Sequence, residues 1–232
     1  MNKTARLILL LLGLLASVSV FAQDNFDYQL SSVEVLTQKS VQKELGVSEQ
    51  QRAAMNKFAD AHRAKLKAYY TKVQKAGGTV DSAKLTGYYQ DLRKGVLKQL
   101  SASQLKRLRE ISLQRFGFSA LGDPAVGQKV GLSPSEQKKM QAILTKGLNG
   151  AKQVQVNAIN KATAKLEKVK PKSAAEQAKL QDDATKLAES AMQEVSPQVD
   201  RITADTRQKA MGLLTPQQKA NWQALLGKPF RG

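Results

Sequence analysis

The chain has 232 residues, with 37 Lys or Arg, 19 Asp or Glu, one histidine and no cysteine, so its formal net charge is +18. This composition excludes a disulfide framework, a zinc-thiolate or iron–sulfur site and a cysteine nucleophile. Because 41% of the residues are hydrophobic and only 5% aromatic, we expect a thin, aliphatic core in one domain or two small ones.

The N-terminus predicts an export signal. Lys3 and Arg6 give a basic start, and Leu7 to Ala22 form an almost unbroken apolar stretch with small residues at its end. We predict a signal peptide over 1–22, cleaved after Ala22, and a periplasmic or secreted protein. The stretch is shorter than the ~20 residues that span a bilayer, so no transmembrane segment is expected in the mature chain. Loss of the signal removes two basic residues and leaves a net charge of +16.

The mature chain is predicted to be all-α. It has no sustained alternation of β-branched residues, and it is rich in Ala, Lys, Gln and Leu, which favour helices. In the first half we expect a long helix, a turn at 76–78, a second helix and a short third one. The segment 116–123 then joins the two halves.

In the second half we expect a longer hairpin over 134–211. Pro171 should separate its two helices, and the second helix carries an apolar stripe at steps of three and four over 173–211. Pro197 lies inside that helix and predicts a kink or a break. Since 119–221 contains no aromatic residue, the hairpin should be a slender arm. It would pack helix on helix, as in a coiled coil, or against a partner chain.

Four helix starts share one form, in which an apolar residue precedes Ser or Thr and Gln or Glu follows three residues later. This is the capping box, where the hydroxyl accepts from the third helical amide and the Gln or Glu side chain accepts from the cap amide. Each box predicts a helix N-terminus. The pairs are Ser48 with Gln51, Ser101 with Gln104, Ser133 with Glu136, and Thr215 with Gln218.

The four starts fall into two pairs. The sequence at 44–55 resembles that at 129–140, and the sequence at 99–111 resembles that at 213–225. We therefore predict a tandem duplication of one helical hairpin unit, with a first unit over 23–122 and a second unit over 123–232 that has the longer arm.

These motifs also carry a resemblance to a known family. Leu214-Thr215-Pro216-Gln217-Gln218 matches the LTxxQ motif of the Spy/CpxP-like periplasmic proteins, and the starts at Ser48 and Ser101 are close variants. The start at Ser133 has Glu136 where the motif has Gln. The chain most resembles uncharacterised exported members with two motif pairs. The resemblance implies an all-helical fold of kinked hairpins, often a homodimer, and an ATP-independent chaperone or envelope-stress adaptor.

No catalytic, metal or cofactor site is predicted. The chain has no glycine-rich phosphate loop and no nucleophile elbow. His62, the only histidine, is surrounded by lysines and is interpreted as an ordinary helix residue, because a lone histidine cannot build a metal site.

A basic helical face is the candidate binding site. Residues 57–115 hold 14 basic and 4 acidic side chains, and such a face attracts acidic or partly unfolded proteins. The predicted apolar contacts for clients are Phe58, Leu66, Tyr69, Tyr70 and Leu97. The predicted basic contacts are Arg63, Lys65, Lys67, Lys72, Arg93, Lys94, Lys98, Arg107 and Arg109.

Three functions remain open. The first is the chaperone-like or stress-adaptor protein that binds unfolded or acidic clients. The second is a structural binder of an anionic envelope polymer or a membrane surface, which would use the charges alone. The third is a helical scaffold, for which a homodimer is one expected form, in which the 134–211 hairpin pairs with a partner through residues such as Leu180 and Leu187. Nucleic acid is not an expected partner in the exported compartment.

Overall fold

The computed structural model describes residues 25–166, 169 and 173–232, and the predicted signal peptide lies outside this range. Within the described residues every regular element is helical, which confirms the all-α prediction. The α-helices are α1 (Asn25–Leu30), α2 (Val33–Leu36), α3 (Lys39–Glu44), α4 (Glu49–Lys75), α5 (Ser82–Leu97), α6 (Ala102–Phe116), α7 (Pro124–Val130), α8 (Pro134–Thr163), α9 (Ala174–Leu213) and α10 (Pro216–Leu226). A 3-10 helix over Gly117–Gly122 follows α6.

The chain forms two compact units. Unit 1 comprises the chain up to Phe116 together with Leu225–Gly232, and unit 2 comprises Gly117–Ala224. This division differs from the predicted units 23–122 and 123–232 in two ways: the first boundary follows Phe116, and the C-terminal segment belongs to unit 1. The reason is a set of hydrogen bonds from α6 side chains to the main chain of that segment.

In unit 1, the short helices α1 to α3 pack with α5 and α6 at the base of a hairpin formed by α4 and α5. The core is aliphatic, as expected, and its largest fully buried members include Leu97, Leu108 and Ile111. The predicted turn between α4 and α5 is confirmed. Helix α4 ends at Lys75, and Gly77 takes a positive φ of 61° that favours glycine.

In unit 2, α8 and α9 form the long hairpin that the aromatic-free sequence predicted. Two glycines of α8 allow close packing: a Cβ on Gly147 would lie 2.1 Å from the Oγ1 atom of Thr206, and one on Gly150 would lie 3.8 Å from Ile202. Helix α8 ends at Thr163 and α9 begins at Ala174, so the hairpin has two helices as expected. Pro171 itself lies outside the described residues.

The break predicted at Pro197 does not occur, because α9 continues through this residue to Leu213. A proline inside a helix leaves the carbonyl four residues earlier without its amide partner. Pro197 is exposed, so water can bind that carbonyl and offset part of the cost. The helix therefore stays in one piece, so the break is excluded and the kink stays a prediction.

Candidate binding surface

The inner face of the α4–α5 hairpin in unit 1 carries an aromatic cluster. His62 is buried, with its ring stacked on Phe58 at 5.8 Å and edge-on to Tyr88 at 5.6 Å. Its Nε2 atom lies 2.6 Å from the carbonyl oxygen of Tyr88. Because a carbonyl can only accept, Nε2 carries the proton and donates. His62 thus joins the two helices as a packing residue.

Tyr69 fixes the outer end of the same hairpin. Its ring lies 5.8 Å from that of Tyr88, and its hydroxyl accepts a 2.9 Å hydrogen bond from the amide of Asp81. Asp81 is the N-cap of α5 and accepts from the amides of Ala83 and Lys84. The Nζ atom of Lys84 also lies 5.6 Å from the centroid of the Tyr69 ring. Tyr69 is therefore half-buried and holds the turn in place.

The predicted client contacts fall into three classes of exposure. Exposed on unit 1 are Arg63, Lys65, Lys67, Tyr70, Lys72, Lys94 and Lys98. Half-buried are Phe58, Leu66, Tyr69, Arg93 and Arg107. Leu97 and Arg109 are buried. Only the first class is available to a partner without rearrangement, so the accessible part of the predicted surface lies mainly on the α4–α5 hairpin.

All four predicted arginines have partners inside unit 1, and three of them bind groups that hold the fold together. Arg93 donates to the carbonyl oxygens of Tyr28 and Ser31, and its guanidinium lies 5.0 Å from the Tyr28 ring. Burial raises the pKa of Tyr28, and the charge of Arg93 offsets part of that rise. Arg107 and Arg109 bind carboxylates and the C-terminal main chain, as detailed below. These three arginines stabilise the fold. Arg63 is exposed but pairs with Asp60 at 2.9 Å, so the lysines are the accessible cations that have no ion pair among the described residues.

Two exposed tyrosines lie on this hairpin, one on each helix. Tyr70 on α4 is 41% exposed, and Tyr89 on α5 is 58% exposed. The sequence prediction included Tyr70 but missed Tyr89. The helical period could have identified it, because Leu85, Tyr88 and Leu92 mark the less exposed face of α5 and Tyr89 lies about 100° away from Tyr88.

The outer face of α4 is a shallow trough with a floor of small residues, Ala64, Ala68 and Thr71. Lysines surround this floor, namely Lys67, Lys72 and Lys75. Lys57 and Lys65 are exposed on the same helix. Within the described part of the chain, none of these five lysines forms an ion pair. Lys57 and Lys75 were not among the predicted contacts, although their separation of 75 − 57 = 18 residues, five turns of an α-helix, places them on one face.

All four predicted capping boxes are present, and in unit 1 two of them bind each other. The amides of Ser48 and Ser101 donate to Gln51 and Gln104, at 3.0 and 2.9 Å. The two glutamines then exchange hydrogen bonds of 2.8 and 3.1 Å. Gln104 also donates to the carbonyl of Leu45 at 3.2 Å. The motif therefore does more than start helices, because it joins the N-terminus of α4 to that of α6.

In unit 2 the other two boxes are joined in a similar way. The amides of Ser133 and Thr215 donate to Glu136 and Gln218. Gln218 donates to the Glu136 carboxylate at 3.2 Å and to the carbonyl of Gly131 at 3.0 Å. Hydrogen bonds from Ser133 and Gln218 lower the pKa of Glu136 below its usual value. Each unit thus contains one pair of linked boxes, a similarity that the tandem-duplication hypothesis would explain.

No group of three or more metal-ligating side chains lies together in the part of the chain that the structure describes. Across the same residues, no helix is both long and apolar enough to cross a membrane. Comparison with protein-family models, curated proteins and solved structures finds no match to this chain.

Proposed function

We propose that this protein is an exported, ATP-independent chaperone-like or envelope-stress adaptor protein that binds unfolded or acidic clients. The α4–α5 hairpin of unit 1 would be the binding surface. The observation that carries the proposal is the exposure of Tyr70 and Tyr89 on a hairpin whose accessible lysines have no ion-pair partner. The resemblance to LTxxQ-motif proteins supports the same function.

The mechanism needs two kinds of contact. Lysines without partners attract acidic clients over about one Debye length, which is ~8 Å at physiological ionic strength. Tyrosine rings then bury apolar client segments at small cost in conformational entropy, because the ring has few rotatable bonds. Since Tyr69 and Tyr88 already fill the inner face, Tyr70 and Tyr89 can contact a client without opening the hairpin.

A second candidate, binding to an anionic envelope polymer, is favoured by the lysine trough on the outer face of α4. Its floor of Ala64, Ala68 and Thr71 lets a linear polymer approach the helix closely. Such binding would depend on the lysines and would weaken steeply with salt, because it releases counterions. The tyrosines would not be needed.

The test is aggregation of an unfolding client, followed by light scattering with the mature chain 23–232 at low salt and at about 0.5 M salt, where the Debye length falls to ~4–5 Å. We expect Tyr70→Ser combined with Tyr89→Ser to abolish the suppression that survives high salt. The matched control is Leu148→Ser in unit 2, which removes a 70% exposed apolar side chain elsewhere and should leave suppression unchanged.

Charge reversal distinguishes polymer binding, the second candidate, from client binding. Lys65, Lys67 and Lys72 are changed together to Glu, and the control changes three exposed lysines of α8, Lys138, Lys139 and Lys152. If binding to polyphosphate falls only in the first variant, and aggregation is suppressed by neither variant nor wild type, the hairpin binds polyanions and the client proposal is wrong.

A further inference from the structure

The C-terminal tail, residues 227–232, lies outside any helix and crosses α6 in unit 1. The amide group of Gln114 binds its main chain on both sides. The Nε2 atom donates to the carbonyl oxygens of Leu226 and Lys228, at 2.6 and 2.7 Å. The Oε1 atom accepts from the amide of Phe230 at 2.8 Å. One side chain thus satisfies two main-chain groups of the tail and the carbonyl of Leu226, the last residue of α10.

Two arginines of the same helix extend this pattern. Arg107 donates to the carbonyl of Lys228 at 2.7 Å, and Arg109 donates to that of Leu225. Both guanidinium groups are held by carboxylates. Glu44 and Glu110 bind Arg107, at 2.6 and 3.0 Å.

Asp27 binds Arg109 at 2.8 Å, and the Arg109 side chain is only 7% exposed. Since the carboxylates fix both arginines, the donors are already oriented before any peptide binds. Such preorganisation reduces the entropic cost of binding.

Two further features hold the tail: the ring of Phe230, and the close packing of Gly227 on Glu110. The Phe230 ring packs, partly buried, against the core of unit 1. Gly227 has a φ of 64°, and a Cβ there would lie 2.2 Å from the carboxylate of Glu110. The side chains of Lys228, Pro229 and Arg231 are exposed. The tail is therefore held through its main chain and one aromatic ring, while these three side chains face solvent.

We propose that this face of α6 is a peptide-binding site, and that the tail is its resident ligand. The ligand class follows from residues 225–230: a peptide whose first two residues end a helix, whose third residue is a glycine of positive φ, and whose sixth residue is aromatic. Its main chain offers the amide of the aromatic residue and the carbonyls two, four and five positions before it. This site is distinct from the α4–α5 hairpin, so the peptide-binding proposal can be correct even if the proposed function is wrong. A peptide of this class displaces the tail in trans.

The test uses the mature chain with Phe230→Ala, which removes the anchor of the resident tail. A fluorescent peptide of residues 225–232 is titrated and followed by anisotropy. We expect it to bind this variant about tenfold or more tighter than the wild-type chain, because a tethered tail competes at an effective concentration of about 1 mM. The same peptide with Phe230→Ala should bind about tenfold or more weaker, as loss of an aromatic anchor predicts.

A second variant tests the main-chain contacts. Gln114→Glu, added to the Phe230→Ala chain, cannot donate to the two carbonyls and should weaken peptide binding about tenfold. The control is Gln90→Glu, the same change at an exposed position of α5, which should have no effect. Circular dichroism shows whether each variant keeps its helices.

Hydrogen exchange gives an independent reading in the unaltered mature chain. Excess wild-type peptide should speed exchange of the Phe230 amide, and the alanine peptide should not. The proposal is overturned if the peptide fails to bind the Phe230→Ala chain, if both peptides bind equally, or if Gln114→Glu has no effect. The tail would then be a clasp that acts only within its own chain.

Discussion

The linked capping boxes of unit 1 make a sharp prediction for the substitution Gln104→Glu. In the wild type, the Nε2 atom of Gln104 donates to Leu45, Gly46 and Gln51, at 3.2, 3.3 and 3.1 Å. A carboxylate keeps the acceptor for the amide of Ser101 but has no proton to donate. It also places a negative charge beside two carbonyl oxygens. The substitution should therefore separate the starts of α4 and α6.

The magnitude follows from the number of bonds lost. The Nε2 group has two N–H protons shared among these three acceptors. A neutral hydrogen bond contributes about 0.5–1.5 kcal/mol net, so losing both donors costs about 1–3 kcal/mol, and the new negative charge beside two carbonyl oxygens raises the total to about 2–4 kcal/mol. Gln51→Glu is the matched control, because it changes the partner glutamine in the same way. It loses two donor contacts, to the carbonyl of Gln99 and to the Oε1 atom of Gln104, both at 2.8 Å. It gains a charged acceptor for Gln104, which is the arrangement of Glu136 and Gln218 in unit 2. The stronger bond to the charged acceptor offsets part of the two losses, so the cost should be about 0–2 kcal/mol.

The assay is urea unfolding followed by circular dichroism at neutral and acidic pH. With a slope of about 1–3 kcal/mol per M urea, the two variants should differ in midpoint by roughly 1 M, with Gln104→Glu the less stable. Acid should shrink the difference, since protonation gives the new carboxyl group a donor. Equal midpoints, or a larger loss for Gln51→Glu, would refute the idea that Gln104 joins the two boxes by donating hydrogen bonds.

Three further predictions concern packing, pH and the buried ion pair. Gly95→Ala should cost about 1–3 kcal/mol in thermal unfolding, because its Cβ would lie 2.0 Å from the Phe58 ring. Glu136→Gln should make the unfolding free energy fall less steeply in acid. Because the pKa of Glu136 is lowered in the folded protein, its carboxylate stabilises the fold at pH values above the usual carboxyl pKa. That contribution is lost as the pH falls through the lowered pKa. Arg109→Ala should lower the unfolding free energy by about 3–5 kcal/mol, because Asp27 loses its partner in a largely buried site.

Each of these has a control. Gly87→Ala, in the same helix as Gly95 but with nothing within 4 Å of its Cβ, should leave stability unchanged or raise it by up to about 1 kcal/mol. If both alanine variants behave alike, Phe58 does not restrict Gly95. An unchanged acid profile for Glu136→Gln would show that another group causes the acid sensitivity. If Arg109→Asp combined with Asp27→Arg fails to recover any stability, the pair is not the cause of the loss.

The helix starts could be predicted from the sequence because each capping box is complete within four residues. The hydroxyl of Ser48 and the amide of Gln51 meet wherever the helix begins at that point. The link between Gln51 and Gln104 could not be predicted in this way, since it joins residues 53 positions apart. Local rules identify the helix N-termini, and only the packed structure shows which of them meet.

The sequence predicts the positive charge of the candidate surface, but it does not predict which of the basic side chains are accessible. The sequence shows that 57–115 is basic, but it does not show that the partner of Arg109 is Asp27, 82 positions away. For the same reason the C-terminal segment was assigned to the second half, although Gln114 and Arg107 hold it in unit 1. Long-range hydrogen bonds decide both cases, and a single sequence carries no local signal for them.

Hydrogen exchange of the mature chain with and without an unfolded, acidic client tests the central claim most directly. The account predicts slower exchange in peptides that cover 57–92 of the α4–α5 hairpin, where Tyr70 and Tyr89 lie, at low and at high salt. Exchange in the α8–α9 hairpin should not change. Protection confined to 134–213, or no protection anywhere, would contradict the claim that the unit 1 hairpin is the client-binding surface.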